Sequence, residues 1–195
     1  MVPFYRHAVD PSDAERVAEV LRTPFLTSGP VGKRVEAQLA ERFGVPCCKL
    51  TNSWTNGAIA TLMALGVGPG DEVIVPAMTF IATANVVELV GARPVFVDVE
   101  PGTLLMDLAQ VEAALTPATV GVIPVHLYGQ MVDVEALRAV VGPDRFIVED
   151  CAHAFESTLR GEGPGTHSDA AIFSFYATKN IATGEGGAVI TSAPM

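Results

Sequence analysis

A three-layer α/β fold, a mostly parallel sheet covered by helices on both faces, is what this sequence predicts. From residue 47 onward, short apolar runs alternate with segments of helical periodicity, the pattern of successive β-α units. Several of the runs, such as Val73-Ile74-Val75, are apolar without alternation, as strands buried on both faces are. Apolar residues make up 49% of the 195 and charged residues 17%, enough to fill a sizeable core.

Taken in order, Ser12 is a candidate N-cap with Glu15 placed for a capping box, and Val17, Val20 and Leu21 give that helix an apolar face ended by Pro24. Leu26-Thr27-Ser28-Gly29-Pro30 is a turn-rich loop. A second helix is predicted over 33–43, with Val35, Leu39 and Phe43 at helical spacing. Strands follow at 47–51, 72–76, 94–99, 120–125, 146–149, 170–175 and 188–191. The intervening helices are predicted at 58–65, 81–90, 107–115 and 132–141, with Asp107 as a candidate cap. There is no internal repeat and no low-complexity tract. The chain stops at Ala193-Pro194-Met195, directly after a strand and without a closing helix, which reads as a truncation.

The net charge of −10 argues against nucleic acid as the main partner. No apolar run reaches membrane-spanning length, and Met1 to His7 lacks the apolar core of a secretion signal. Three cysteines, Cys47, Cys48 and Cys151, do not make a disulfide framework, which predicts free thiols in the cytoplasm.

In doubly wound sheets, ligands sit beyond the carboxyl ends of the strands, so the residues that follow each strand are informative. Asn52-Ser53-Trp54-Thr55-Asn56-Gly57 offers hydroxyls and free N–H groups at a helix start, either a phosphate site or an ordinary cap. It is not a P-loop, which needs a Lys-Ser/Thr pair after the glycine. Gly66, Gly68 and Gly70 follow a helix, and Gly161, Gly163 and Gly165 precede a strand, so neither group is a dinucleotide fingerprint. Phe80 stands where a flat ligand could stack, or in the core. His126-Leu127-Tyr128-Gly129-Gln130 is a polar, aromatic loop. Glu149-Asp150-Cys151-Ala152-His153 ends an apolar strand with two carboxylates, which are costly unless something cationic faces them. A metal with His153 as co-ligand is one candidate, although further ligands are not evident, and a protonated heterocyclic nitrogen is the other. The last stretch, Ile172-Phe173-Ser174-Phe175-Tyr176-Ala177-Thr178-Lys179-Asn180, leads from an apolar strand into one of only three lysines. Lys179 is either a snorkelling surface residue or a tuned nucleophile.

Together these strand ends carry an anion site, an aromatic platform, a carboxylate and a lysine, the set that pyridoxal phosphate needs. Its phosphate takes N–H groups and hydroxyls, its ring a flat neighbour, its pyridine nitrogen an anion, and its aldehyde a lysine with which to form a Schiff base.

The sequence resembles the DegT/DnrJ/StrS family of pyridoxal-phosphate-dependent sugar aminotransferases, of the aspartate-aminotransferase (type I) fold. The resemblance is carried by Leu26 to Pro30, Gly68 to Pro76, Thr79 to Asn85, Pro94 to Val99, Pro124 to Gln130, Glu149 to Ala154 and Phe173 to Asn180. It implies that Lys179 holds the cofactor and shuttles the proton, and that Asp150 pairs with the pyridinium nitrogen. It further implies that His153 faces the ring hydroxyl, Phe80 stacks on the ring, and Thr55, Asn56 and Ser174 hold the phosphate. Trp54 stands where the family more often has glycine. Thr27, His126 and Tyr128 are the implied substrate contacts, and no metal is implied. The implied reaction is transamination, glutamate as donor and a nucleotide-linked keto-sugar as acceptor, in a homodimer that alternates between pyridoxal and pyridoxamine phosphate. A branch with histidine in place of the lysine dehydrates instead, and this chain keeps the lysine. Such proteins run to about twice this length. The resemblance therefore divides the chain into an N-terminal segment, 1–30, and a cofactor-binding large domain, 31–195, without the smaller C-terminal domain. A non-catalytic or regulatory relative is the alternative reading, and another pyridoxal-phosphate reaction on the same fold a third.

Overall fold

The computed structural model describes residues 6–192. The sequence readings made on Met1 to Tyr5 and on Ala193 to Met195 lie outside the described residues.

The chain runs α1 (Pro11–Leu21), α2 (Pro30–Phe43), β1 (Cys47–Thr51), α3 (Trp54–Ala64), β2 (Glu72–Pro76), α4 (Ala82–Leu89) and β3 (Arg93–Val97). It continues through α5 (Leu108–Ala114), β4 (Thr119–Val122), α6 (Val134–Val141), β5 (Phe146–Asp150), β6 (Ala170–Ser174) and β7 (Gly187–Thr191). The seven strands form one sheet in the order β1-β7-β6-β5-β4-β2-β3. β7 is antiparallel to both of its neighbours, and the β2–β3, β2–β4, β4–β5 and β5–β6 pairs are parallel. The carboxyl ends of six strands and the start of β7 therefore share one edge.

Side chains on successive strand positions point to opposite faces, and on the central strands β2, β5, β6 and β7 both faces are covered, while the edge strands β1 and β3 are partly exposed. Val73, Val75, Val148, Ile172 and Val189 pack with Ala58 and Leu62 of α3 and Val86 and Val87 of α4. On the other face, Ile74, Val122 and Ile147 pack with Val111 of α5 and Leu137 of α6. Farther along that face, Ala171, Phe173 and Ile190 pack with Leu39 of α2. This is the predicted three-layer fold. Gly57 lets α3 lie against the sheet: a Cβ there would sit 3.1 Å from Val189 Cγ2 and 3.2 Å from Thr51 Oγ1.

Several predicted boundaries move, each for a local reason. α1 is capped by Asp10 and not Ser12. The Asp10 carboxylate accepts from the N–H groups of Ser12 and Asp13, and Asp13, not Glu15, closes the capping box. Pro11 makes this possible, since its missing N–H belongs at the first helical position. The predicted apolar face of α1 is left uncovered, with Val17 and Leu21 exposed. α2 also begins on a proline, Pro30, three residues before the predicted start. α3 starts four residues early because the Ser53 hydroxyl caps it, accepting from Asn56 N–H at 3.1 Å. β4 stops at Val122 because Pro124 lacks an N–H. The chain beyond it keeps contact with β5 through Asp150 N–H to Pro124 O at 2.8 Å and a bridge between Val125 and Asp150. α6 waits for its cap, Asp133, which leaves Val132 outside the helix.

Candidate functional site

A cavity of about 390 Å³ opens at the shared edge of the sheet. The edge includes the point where chain order reverses, since β3 lies to one side of β2 and β4 to the other. Doubly wound sheets place ligands at such points. Of the residues singled out in the sequence, Thr55, Phe80, His126, Asp150, His153, Ser174 and Lys179 line this one cavity.

β5 delivers Asp150 to the cavity and turns Glu149 the other way. Asp150 is buried, with Oδ2 accepting from the Thr83 hydroxyl at 2.9 Å and Oδ1 from Ala152 N–H at 3.1 Å. Burial pushes its carboxyl above the usual range, against the pull of those two donors, His126 and Lys179. Such a carboxylate is short of positive charge. Thr83 is itself fully buried and within 2.8 Å of the Thr79 hydroxyl.

The segment after β6 delivers Lys179. Because β7 returns antiparallel, the connection extends the ladder: Phe175 N–H donates to Gly186 O, and Ala177 N–H to Gly184 O. Lys179 N–H then donates to Tyr176 O at 2.8 Å, turning the side chain at the loop tip. Lys179 Nζ lies 2.9 Å from His153 Nε2. Half-burial lowers the lysine from its ordinary value while Asp150 opposes the shift, so a larger share of the amine is nucleophilic. Burial first, and the lysine second, also lowers His153.

The start of α3 delivers Ser53, Trp54 and Thr55 to the wall. An eleven-residue helix aimed at a cavity carries partial positive charge and unpaired N–H groups at that end. Ser174 and Thr178 add hydroxyls. Gly187 lets the backbones close up beside this turn, for a Cβ there would stand 2.8 Å from Phe173 O and from the Ser53 carbonyl carbon. Phe80 is three-quarters exposed at the cavity mouth, a flat hydrophobic surface with no ring stacked on it among the described residues.

Three candidates stand elsewhere. Asn56 does not line the cavity; its side-chain amide donates to Asn52 Oδ1. Thr27 lies exposed in the loop before α2, away from the lining. Tyr128 lies in an adjoining groove, its ring stacked on His153 with centroids 5.5 Å apart. His126 reaches the cavity wall, but both ring nitrogens are engaged: Nε2 with Glu149 Oε2 at 2.6 Å, and Nδ1 accepting from Val132 N–H at 3.0 Å.

Glu149 also accepts from Gly165 N–H and from the Ser168 hydroxyl. The ligand atoms of His126, Glu149 and Cys151 lie within 4.8 Å of one another, the geometry of a metal trio. The hydrogen bonds already made by His126 and Glu149 read instead as a buried structural network. Glu149 and Asp150 do not share one cation, since they point to opposite faces of the strand.

The donor set suits a flat, phosphorylated heterocycle with a basic nitrogen and an aldehyde: hydroxyls and a helix start for the phosphate, a buried carboxylate for the nitrogen, a half-buried lysine for the aldehyde. Ser53 belonged to the turn read as a candidate phosphate site, whereas Thr79, Thr83 and Thr178 were not singled out as wall residues. Thr79 and Thr83, four apart at a helix start, were visible as a hydroxyl pair, but nothing local tied them to Asp150.

Comparison with known proteins gives the chain's family and fold. The chain aligns over its whole length with Spr1654 of Streptococcus pneumoniae, described as a sugar aminotransferase and solved in PMP, PLP and apo forms. The PMP form matches at TM-score 0.95 and 36% identity, over 100% of this chain and 53% of that one. DesV of S. venezuelae matches at 0.89 and 39%, over 94% and 50%. The sugar aminotransferase CalS13 of Micromonospora echinospora matches at 0.92 and 36%, over 99% and 55%. The chain thus spans about half the length of the solved structures it matches. A family model matches residues 8–195, and the chain belongs to the DegT/DnrJ/EryC1/StrS aminotransferase family.

Proposed function

We propose that this chain is the cofactor-binding part of a pyridoxal-phosphate-dependent aminotransferase that aminates a nucleotide-linked keto-sugar, with an amino acid such as glutamate as donor. One observation carries the reading. Lys179, Asp150 and the hydroxylated start of α3, which are far apart in sequence, line a single cavity.

Bound there, pyridoxal phosphate supplies an electron-withdrawing ring that acidifies the carbon next to a substrate nitrogen. The chain's own groups would do the rest. Asp150, buried and short of positive charge, would hold the ring nitrogen protonated. Ser53, Thr55, Ser174 and the N–H groups at the start of α3 would bind the phosphate. Asn56 joins them only if its side chain leaves Asn52. Phe80 would cover one face of the ring and exclude water. His153 would face the ring hydroxyl, and Lys179 would give and take the proton at the substrate carbon. Retention of Lys179 favours amino transfer over dehydration. Tyr128, by its place in the groove that continues past His153, and Thr27, from the loop before α2, remain the proposed sugar-side residues. His126 would not bind the sugar through its ring nitrogens, since both are already engaged.

Exposed Phe80, Ile81 and Tyr128 near the cavity suit a second copy of the chain packing over the site. Free thiols at Cys47, Cys48 and Cys151 suit the cytoplasm. Among the described residues no helix is long and apolar enough to cross a membrane. The segment up to residue 30, whose helix buries no residue, would form the edge of the site.

Two measurements separate cofactor binding from turnover. Incubation with pyridoxal phosphate, borohydride reduction and peptide mapping is expected to place the label on Lys179 and to lose it in Lys179→Ala. No label on Lys179 in a folded, cofactor-supplied sample overturns the proposal. Transfer of an amino group from glutamate to a keto-sugar nucleotide, assayed on residues 1–195, decides whether these residues turn over unaided. Trp54 is the sole tryptophan and lines the cavity, so its emission reports occupancy directly.

A further inference from the structure

Tyr128 holds a left-handed backbone, φ 52° and ψ 28°, a conformation that bulky L-residues rarely adopt. Several contacts hold it there. The Ser157 hydroxyl donates to Gly129 O at 2.7 Å, Gly129 N–H donates to His126 O at 3.2 Å, and the Tyr128 ring lies within 6° of parallel to the His153 imidazole. In this conformation Tyr128 N–H donates to His153 Nδ1 at 3.3 Å.

A ring nitrogen that accepts a hydrogen bond carries no proton. The neutral imidazole must then carry its proton on Nε2, the atom 2.9 Å from Lys179 Nζ. An N–H on Nε2 needs a lone pair on Nζ, and only the uncharged amine has one. The opposite arrangement, an ammonium donating to a bare Nε2, would put the proton on Nδ1 against Tyr128 N–H, two donors face to face.

We propose that Tyr128 is a positioning residue: through its backbone N–H and stacked ring it fixes His153 as the Nε2–H tautomer, which donates to an uncharged Lys179 amine. The proposal rests on the reading of Lys179 as the cofactor-binding lysine, and gives the chain a way to hold that amine ready before cofactor arrives. Asp150, from β5, pulls the other way by favouring the ammonium, and Glu185 is the remaining acidic group on the cavity wall. Half-burial of both Lys179 and His153 favours their uncharged forms.

The test uses the full chain without cofactor. Histidine ¹⁵N resonances, with those of His153 assigned by their loss in His153→Gln, are expected to show a protonated Nε2 and a bare Nδ1. The pH midpoint for reductive methylation of Lys179, read by peptide mass spectrometry, supplies the second measurement. Tyr128→Phe keeps the ring and the wild-type midpoint. Tyr128→Ala frees the imidazole, mixes the tautomers and raises the midpoint by about one unit. His153→Gln keeps the low midpoint, because its carbonyl can accept from Tyr128 N–H while its amide donates to Nζ. A proton on Nδ1 in the wild type overturns the proposal, as does a Tyr128→Ala protein with unchanged tautomer and midpoint. Tyr128 is 79% exposed, so removing its ring empties no core, and the wild-type tautomer needs no variant at all. Failure of pyridoxal phosphate to label Lys179 beside an intact Nε2–H tautomer would count against the proposed function and not against this pairing.

Discussion

Asp150 shows how one residue is tuned by its neighbours. Its carboxylate is buried at the end of β5, and the Thr83 hydroxyl is one of only two hydrogen-bond donors it has among the described residues. Thr83→Val keeps the shape and removes that donor, with an expected loss of about 1.5–3 kcal/mol in urea unfolding, the range for a hydrogen bond to a charged group. The pH dependence has a definite sign. A carboxyl raised above its ordinary 3.8 contributes stability that is present below that value and is lost as pH rises through the folded pKa. Thr83 stabilises the ionised form, so Thr83→Val should cost more at pH 7 than under acid conditions. An equal loss at both would show that the hydroxyl does not act on the charge. Lys179 and Asp150 were legible in the sequence because each ends an apolar run. Thr83 was not, because its partner lies 67 residues away.

At the scale of elements, the site depends on how tightly β6, β7 and the start of α3 close together. Gly187 is the pinch point. Gly187→Ala would drive a methyl against Phe173 O, the Ser53 carbonyl carbon and Thr51 Oγ1, all at 2.8 Å. Two of these are backbone atoms paired or capped in place, so relief requires the strands or α3 to shift. The expected cost is about 1–3 kcal/mol of stability, with weaker binding of cofactor at the displaced helix start. Both would be read from thermal unfolding and from quenching of Trp54. Unchanged values would mean that the turn gives way freely. The alternation of elements was visible in the sequence, and Asp107 was read correctly as the cap of α5, but three other helix starts were misplaced where a cap decided them. Asp10, Ser53 and Asp133 each set a boundary by a side chain to N–H bond that apolar periodicity does not record.

Across the whole molecule, the buried network of His126, Glu149, Gly165 and Ser168 ties the chain after β4 to β5 and to the loop before β6. Glu149 is the hub: removing its carboxylate leaves His126 Nε2 buried without its partner and takes the acceptor from Gly165 N–H and the Ser168 hydroxyl. Glu149→Ala is expected to cost about 3–5 kcal/mol, a large part of the stability of an ordinary domain. Equilibrium unfolding in urea checks this, and a loss under about 1 kcal/mol would sink the claim that the network bears load. The same network explains why His126 reaches the cavity wall with no nitrogen to offer a ligand.

By itself, the sequence determined the three-layer α/β class, the edge on which the chemistry would lie, and the pairing of a lysine with an upstream aspartate. These depend on patterns local to each strand and its following turn, which a linear reading captures. Only the tertiary structure decided which way each side chain at a strand end points. It sent Glu149 into a structural network and Asp150 into the cavity, though they are adjacent. It brought Thr83 to Asp150 and His153 to Lys179, and left Asn56 bonded to Asn52. Side-chain direction reverses with every step along a strand, and contacts across the sheet depend on strand order, so neither is written in any short stretch of sequence.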